Sequence, residues 1–216
     1  MRKYTGDPIP ENILAVLREK IDEVNGSGNL HVQLVTDEPK SFSGLMAYGS
    51  FSGVNSYLVM AGKKDDTLEE RIGYYGEQLV LLAQTLGLNS CWAGASYKKI
   101  PGTYVLGDDE KIGCYIALGY GINQGNSHKS KAKGDVSNAS DLTPAWFNKG
   151  IDAVLLAPTA VNQQKFFFEY LGKKGEGKPK VSAKPTFSMI GYAKMDLGIA
   201  KYHFEVAAGK ENFQWA

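Results

Sequence analysis

Apolar residues recur at helical spacing near the start of the chain and at strand spacing soon after. PIPENILAVLREKIDEV opens on a proline and sets Ile13, Leu14, Leu17, Ile21 and Val24 on one side, with charges on the other, which predicts an amphipathic helix. LHVQLVT and, beyond a Gly/Ser-rich connector, YLVMAG predict strands. TLEERIGYYGEQLVLLAQTLGL predicts a long helix. Thr67 and Glu70 have the T-x-x-E spacing of a capping box, and Gly87 suits a C-terminal stop. Its run LVLLAQTL is apolar nearly all round, as in a central, buried helix. KIGCYIALGYG predicts a short buried strand ended by glycines.

The same order then repeats. TPAWFNKGIDAVLLAP predicts a helix with Thr143 as N-cap and Pro144 at the first helical position. KFFFEYL and TFSMIGY predict strands, and DLGIAKYHFEVAAG an apolar helix stopping at Gly209. The expected fold class is therefore α+β, with two pseudo-symmetric α-β-β-α halves around a mainly antiparallel sheet core. The halves are residues 1–123 and 142–216, expected to form one compact unit. Residues 124–141 between them are polar and basic in the middle, and read equally well as a plain solvated linker.

Composition narrows the function. With 24 basic and 23 acidic side chains, no global field would recruit nucleic acid or an anionic membrane surface. No apolar run approaches the roughly 18 residues of a membrane span. MRKYTGDPIPE has no apolar segment like that of a signal peptide. Cys91 and Cys114 lie in apolar surroundings, so free thiols and a cytoplasmic location are expected. His31, His128 and His203 are scattered without metal-ligand spacing, and no metal is expected; GxSxG and GxxxxGK[ST] motifs are absent. Few routes to catalysis by side chains alone remain. One cluster stands out: in APTAVNQQKFFFEY, a proline, a threonine, an asparagine and two glutamines precede three phenylalanines. Polar groups beside a core strand need partners. Either the protein supplies them, as in a Thr- or Asx-stabilised turn, or a ligand does.

Four landmarks together resemble the nitroreductase family of flavin mononucleotide (FMN) enzymes. Arg2-Lys3-Tyr4 resembles the end of the family's R-x-S-x-R-x-[FY] motif, whose upstream part is not in the sequence. QTLGLNSCWAG resembles the GLG-x-x-W-I-G turn after the central helix, and IALGYG the closing strand and glycine turn. APTAVNQQKF resembles A-P-S-x-x-N-x-Q-P-W, with Thr159, Lys165 and Phe166 at the departures. In homodimeric relatives the P-S-x-x-N-x-Q segment comes early and reaches a flavin held mainly by the other subunit. Its place in the second half here implies a tandem variant, a monomeric pseudo-dimer or weak homodimer. One flavin per chain would be gripped by both halves.

The resemblance implies roles. Arg2 and Lys3 would meet the FMN phosphate, with Lys129 and Lys131 closing that pocket; each cation reads otherwise as a surface charge. Gly49 and Ser50 would lie near the ribityl and pyrimidine region, and Trp92, Ala93 and Gly94 would bring main-chain amides to the flavin edge. Pro158, Thr159, Ala160 and Asn162, supported by Gln164, would lie across the flavin. The implied activity is hydride passage from NAD(P)H through flavin to a small-molecule acceptor, a nitroaromatic, quinone or similar compound, by a ping-pong scheme without a dedicated acid–base residue. The alternatives are a flavin- or nucleotide-binding protein without turnover and a different flavin reaction on the same scaffold.

Overall fold

Helix α1 (Glu11–Gly28) forms where the apolar spacing predicts it, burying Leu14, Leu17, Ile21 and Val24. It stops at Asn29, which takes the left-handed conformation at φ 47°. The Asn25 side chain then bonds both the Val32 amide (2.7 Å) and carbonyl (3.0 Å), which seats the chain for β1 (Gln33–Val35). The computed structural model describes residues 1–43, 51–173 and 177–216. They group into two compact units: Met1–Leu68 with Gly76–Asn126, and Glu69–Tyr75 with Ser127–Ala216.

The first unit holds a four-stranded antiparallel sheet. It is built from β1, β2 (Ser56–Lys63), β3 (Asn89–Ala93) and β4 (Glu110–Gly119), in the order β1-β2-β4-β3. β2 is buried along all but its last residue, the signature of a central strand covered on both faces. Tyr57 and Val59 from β2 join Tyr115 and Ala117 from β4 in one apolar cluster, together with Tyr4, Phe42 and Ala93. Helix α2 (Leu68–Thr85) contributes Gly76, where a Cβ would come within 2.5 Å of the Trp92 ring and 3.0 Å of Met60. The absence of a side chain there lets the helix approach the sheet. Gly87, at φ 81°, follows the helix as expected.

Two expectations need correction here. The Thr67 hydroxyl bonds Asp65 Oδ1 at 2.7 Å, and no side-chain cap bond closes a capping box. A carboxylate two residues upstream captures the hydroxyl first. LGLNSCWAG is no mere turn: its Asn89–Ala93 form an edge strand registered against Tyr115–Gly119.

The second unit contains α3 (Lys133–Val136), α4 (Ala145–Val154), β5 (Phe166–Gly172), β6 (Lys180–Pro185), α5 (Ala193–Ala208) and β7 (Gln214–Trp215). β5 and β6 pair antiparallel, and β7 adds parallel to β6. Its core is aromatic, with Phe204 of α5 against Phe147, Phe168, Phe213 and Trp215. A Cβ on Gly150 would strike the Phe204 ring, so this glycine lets α4 and α5 close up.

The helix expected from Thr143 is capped by Pro144 instead, while the Thr143 hydroxyl bonds the Ser140 carbonyl at 2.7 Å. TFSMIGY is not a strand. β5 pairs with KVSAKP, and the chain then leaves the sheet, with Phe187 and Met189 exposed and left-handed backbone at Gly191 and Tyr192. The apolar density of TFSMIGY resembles a strand, but alternation is met more weakly yet correctly in KVSAKP, where Val181 is fully buried.

Candidate functional site

The N-terminal segment of the first unit is laid down by main-chain bonds. Tyr4 N donates to Ser52 O (2.8 Å), Ser52 N to Arg2 O (3.1 Å), Thr5 N to Tyr120 O (2.8 Å) and Ile122 N to Lys3 O (3.0 Å). This close approach requires Gly53, at φ 68°, since a Cβ there would sit 2.8 Å from the Tyr4 carbonyl carbon. Tyr4 is driven into the core, its hydroxyl donating to Met1 O at 3.1 Å, and burial pushes its phenol well above the usual range. Arg2 and Lys3 remain exposed, the Arg2 guanidinium 5.5 Å from the Phe51 ring centre. The Met1 ammonium reaches Ser90 O at 3.3 Å, so the segment lies beside β3.

On β3, Trp92 is half-buried and oriented by a 3.1 Å bond from its indole N–H to the buried Glu77 carboxylate. Ala93 is buried opposite Tyr115. Among the described residues β3 has a sheet neighbour on one side only, which makes it an edge strand. Gly94 follows and opens a depression of about 600 Å³, lined further by Ala95, Tyr97, Lys98, Lys99 and Ile100. Tyr97 stacks on Tyr115 (3.9 Å between centres, 13° between planes), which stacks on Tyr57 (5.0 Å, 11°). The structure thus sets Arg2, Lys3, Trp92, Ala93 and Gly94 on one unit. Gly49 and Ser50 lie outside the described residues.

Tyr115 is fully buried, and its hydroxyl makes no hydrogen bond of good geometry among the described residues, with the Tyr104 phenol as the polar group beside it. A buried, unsatisfied hydroxyl destabilises. Tyr115→Phe is expected to leave stability unchanged or raise it by about 1–2 kcal/mol in urea unfolding; a loss would show that this hydroxyl has a partner.

The second unit gathers Pro158, Thr159, Ala160, Asn162 and Gln164 with Lys129 and Lys131. Val161, Asn162 and Gln164 all adopt left-handed backbone, at φ 46°, 58° and 45°. For a β-branched valine this is strained, and such strain persists only where surrounding contacts impose it. The contacts are visible. Asp196, buried in the first turn of α5, accepts from the Ala160 amide (3.0 Å) and from Gln163 Nε2 (2.7 Å). Burial raises the Asp196 pKa, and the two bonds pull it the other way. Lys129 O accepts from Asn162 Nδ2 (2.8 Å) and Gln164 Nε2 (2.9 Å). The Lys131 amide donates to Gln164 Oε1 (2.9 Å), its ammonium to Gln164 O (2.8 Å), and Gln164 N to Thr159 Oγ1 (3.1 Å). Of the two alternatives for this cluster, the protein itself supplies partners for Asn162, Gln163 and Gln164.

Two cations, Lys131 and Lys165, lie close together beside this cluster. The Lys131 ammonium is held below its usual pKa by burial and then by the neighbouring Lys165 charge, with Asp135 opposing. Sequence reasoning missed Asp196, thirty-odd residues downstream of the segment it holds, and Tyr97, Lys98 and Lys99. For the latter the run SYKKI was the available signal. Among the described residues no group of histidine, cysteine, aspartate and glutamate is arranged to hold a metal ion. Nor, among those residues, is any helix long and apolar enough to cross a membrane.

A family model described as "Putative TM nitroreductase" matches residues 1–208. The crystal structure of a "putative nitroreductase" from Thermotoga maritima MSB8 superposes with a TM-score of 0.59 at 22% identity, covering 96% of this chain and 78% of that one. At this identity the likeness shows a shared fold. An FMN-dependent nitroreductase from Clostridium difficile R20291 is more distant, with a TM-score of 0.47 at 17% identity over 60% of this chain and 86% of that one. Comparison with curated proteins gives no match. With nearly its whole length matched, the chain belongs to this nitroreductase family.

Proposed function

We propose that the chain is an FMN-dependent oxidoreductase of nitroreductase type, acting between NAD(P)H and a nitroaromatic, quinone or similar acceptor by a ping-pong scheme. The observation that carries this reading is the family match over residues 1–208, joined to the motifs that point to flavin. Bound FMN would supply the hydride-accepting and hydride-donating chemistry. The chain's own residues bind and orient. Arg2 and Lys3 offer exposed cations beside β3, and a guanidinium fork matches phosphate oxygens. Trp92, Ala93 and Gly94 offer an edge-strand backbone for a ring edge. In the second unit, Lys131 and Lys165 offer positive charge, and Asp196 holds Pro158–Gln164 in its left-handed path.

The experiment is steady-state oxidation of NADH or NADPH with a quinone or nitroaromatic, varying both substrates. Parallel double-reciprocal lines are expected; intersecting lines would reject ping-pong, and no turnover by the FMN-loaded protein would reject the enzyme reading. Arg2→Ala is expected to weaken FMN retention about 10- to 100-fold, the loss of one charge-assisted contact. Unchanged affinity by fluorescence titration would remove Arg2 from the phosphate site.

A further inference from the structure

We propose that the second unit carries a docking surface for an anionic lipid bilayer, made of the loop after β6 and the outer face of that strand. The loop displays its apolar side chains and keeps a polar one inside. Phe187 and Met189 are 83% and 90% exposed, and Ile190 beside them 54%. Ser188 turns the other way. Its hydroxyl donates to Gln163 Oε1 at 2.5 Å and accepts from the Ile190 amide at 3.1 Å. Gln163 Nε2 donates to Gly191 O at 3.0 Å, which pins the far end of the loop. The apolar groups are therefore presented by a turn that its own hydrogen bonds hold in place. Clusters of large apolar groups left in solvent mark interaction surfaces.

Charge selects the occupant. The near-neutral chain divides its charge unevenly: residues 127–216 hold 13 lysines and no arginine against 8 acidic residues, a net +5. Glu69, Glu70 and Arg71, which belong to the same unit, bring it to +4. On β6, Lys180 and Lys184 share the face opposite to buried Val181. Both are exposed, and neither forms an ion pair with a carboxylate among the described residues. Glu169, opposite Ser182, is the single carboxylate on β5 and β6. Lys184 stands three residues before Phe187. Apolar side chains that enter the acyl boundary, beside lysines that meet lipid phosphates, are the chemistry of interfacial anchoring. A second copy of the chain suits this surface less well. A two-fold contact would set Lys180 and Lys184 against their own copies. Three apolar side chains also fall far short of the roughly 20–30 residues a side that a stable protein interface engages.

The test is co-sedimentation of the full-length protein, with and without added FMN, with vesicles of phosphatidylglycerol and phosphatidylcholine in equal parts or of phosphatidylcholine alone. Binding to the anionic vesicles is expected to be at least about tenfold tighter than to the neutral ones, and weaker as salt rises. Phe187→Ser with Met189→Ser should lower it about tenfold or more, with urea unfolding unchanged because both side chains stand in solvent. Lys180→Gln with Lys184→Gln should remove most of the preference for anionic vesicles, and Lys180→Arg with Lys184→Arg should keep it. No binding to the anionic vesicles, binding that survives the double serine variant, or an anionic preference that survives the double glutamine variant would overturn the proposal. So would a dimer, seen by sedimentation velocity without lipid, that the double serine variant dissolves, since the surface would then belong to a second copy. Because binding is also read without FMN, failure of flavin uptake and failure of this surface are separate results.

Discussion

Gly198→Ala is expected to lower the stability of the second unit by about 3 kcal/mol or more, the upper end of what overpacking a tight contact costs. A Cβ at Gly198 would sit 2.7 Å from Tyr74 N and 2.9 Å from the Glu70 carbonyl carbon, closer still to its oxygen. The same holds in the reverse direction, where a Cβ at Gly73 would lie 2.9 Å from the Met195 carbonyl carbon and 3.0 Å from Ile199 N. The obstructing atoms are main chain on both sides, so no rotamer change can make room. Residues 69–75 are further held to α5 by Lys201–Glu70 (2.6 Å) and by the Tyr74 hydroxyl on buried Glu205. Gly26→Ala is the matched control, because nothing lies within 4 Å of its Cβ position in α1. Its expected outcome is a gain of roughly 0.5–1 kcal/mol from helix propensity. Urea unfolding of both variants checks the pair; equal effects would contradict the close packing.

Asp196→Ala carries the second large effect, an expected loss of about 2–3 kcal/mol together with release of residues 158–164. Removing the carboxylate strips the Ala160 amide of its acceptor and leaves Gln163 Nε2 with Gly191 O alone among its recorded partners. The left-handed conformations at Val161, Asn162 and Gln164 then lose the contacts that impose them. Asp196→Asn should be milder, since an amide oxygen can still serve Ala160 while its NH₂ meets the Gln163 donor. The pH dependence has a definite sign. Burial raises the folded-state pKa of Asp196 above the ordinary aspartate value of 3.8, so its linkage contribution is complete below the unfolded pKa and fades as pH rises through the folded one. The advantage of the native chain over Asp196→Asn should therefore widen as pH falls toward 3.8. Amide exchange across 158–164 measures the release directly; unchanged protection there would contradict the role given to Asp196.

The long periodic elements were legible from residue pattern alone. α1, β2, α2, β4, α4, β5 and α5 all form where apolar spacing placed them, because each buries a wide face or a continuous run. β3, β6 and β7 were not, for a shared reason. β3 and β7 lie at sheet edges, and β6 buries little beyond Val181, so packing asks less of their composition. The site divides in the same way. The cluster Pro158–Gln164 announced itself by polar density, and Lys129 and Lys131 do lie against it. The carboxylate that holds it did not, since one aspartate in a helix's first turn looks like an ordinary dipole partner. The stacked Tyr57, Tyr97 and Tyr115 come from three distant segments, and only the fold brings them together.

The most direct measurement is the visible absorption spectrum of the purified protein titrated with FMN and then with reduced nicotinamide under anaerobic conditions. A saturable, stoichiometric flavin spectrum is expected, one that bleaches on adding NADH or NADPH and returns when a quinone or nitroaromatic is supplied. A protein that takes up no FMN at micromolar concentrations, or that holds FMN which neither nicotinamide can bleach, would contradict it.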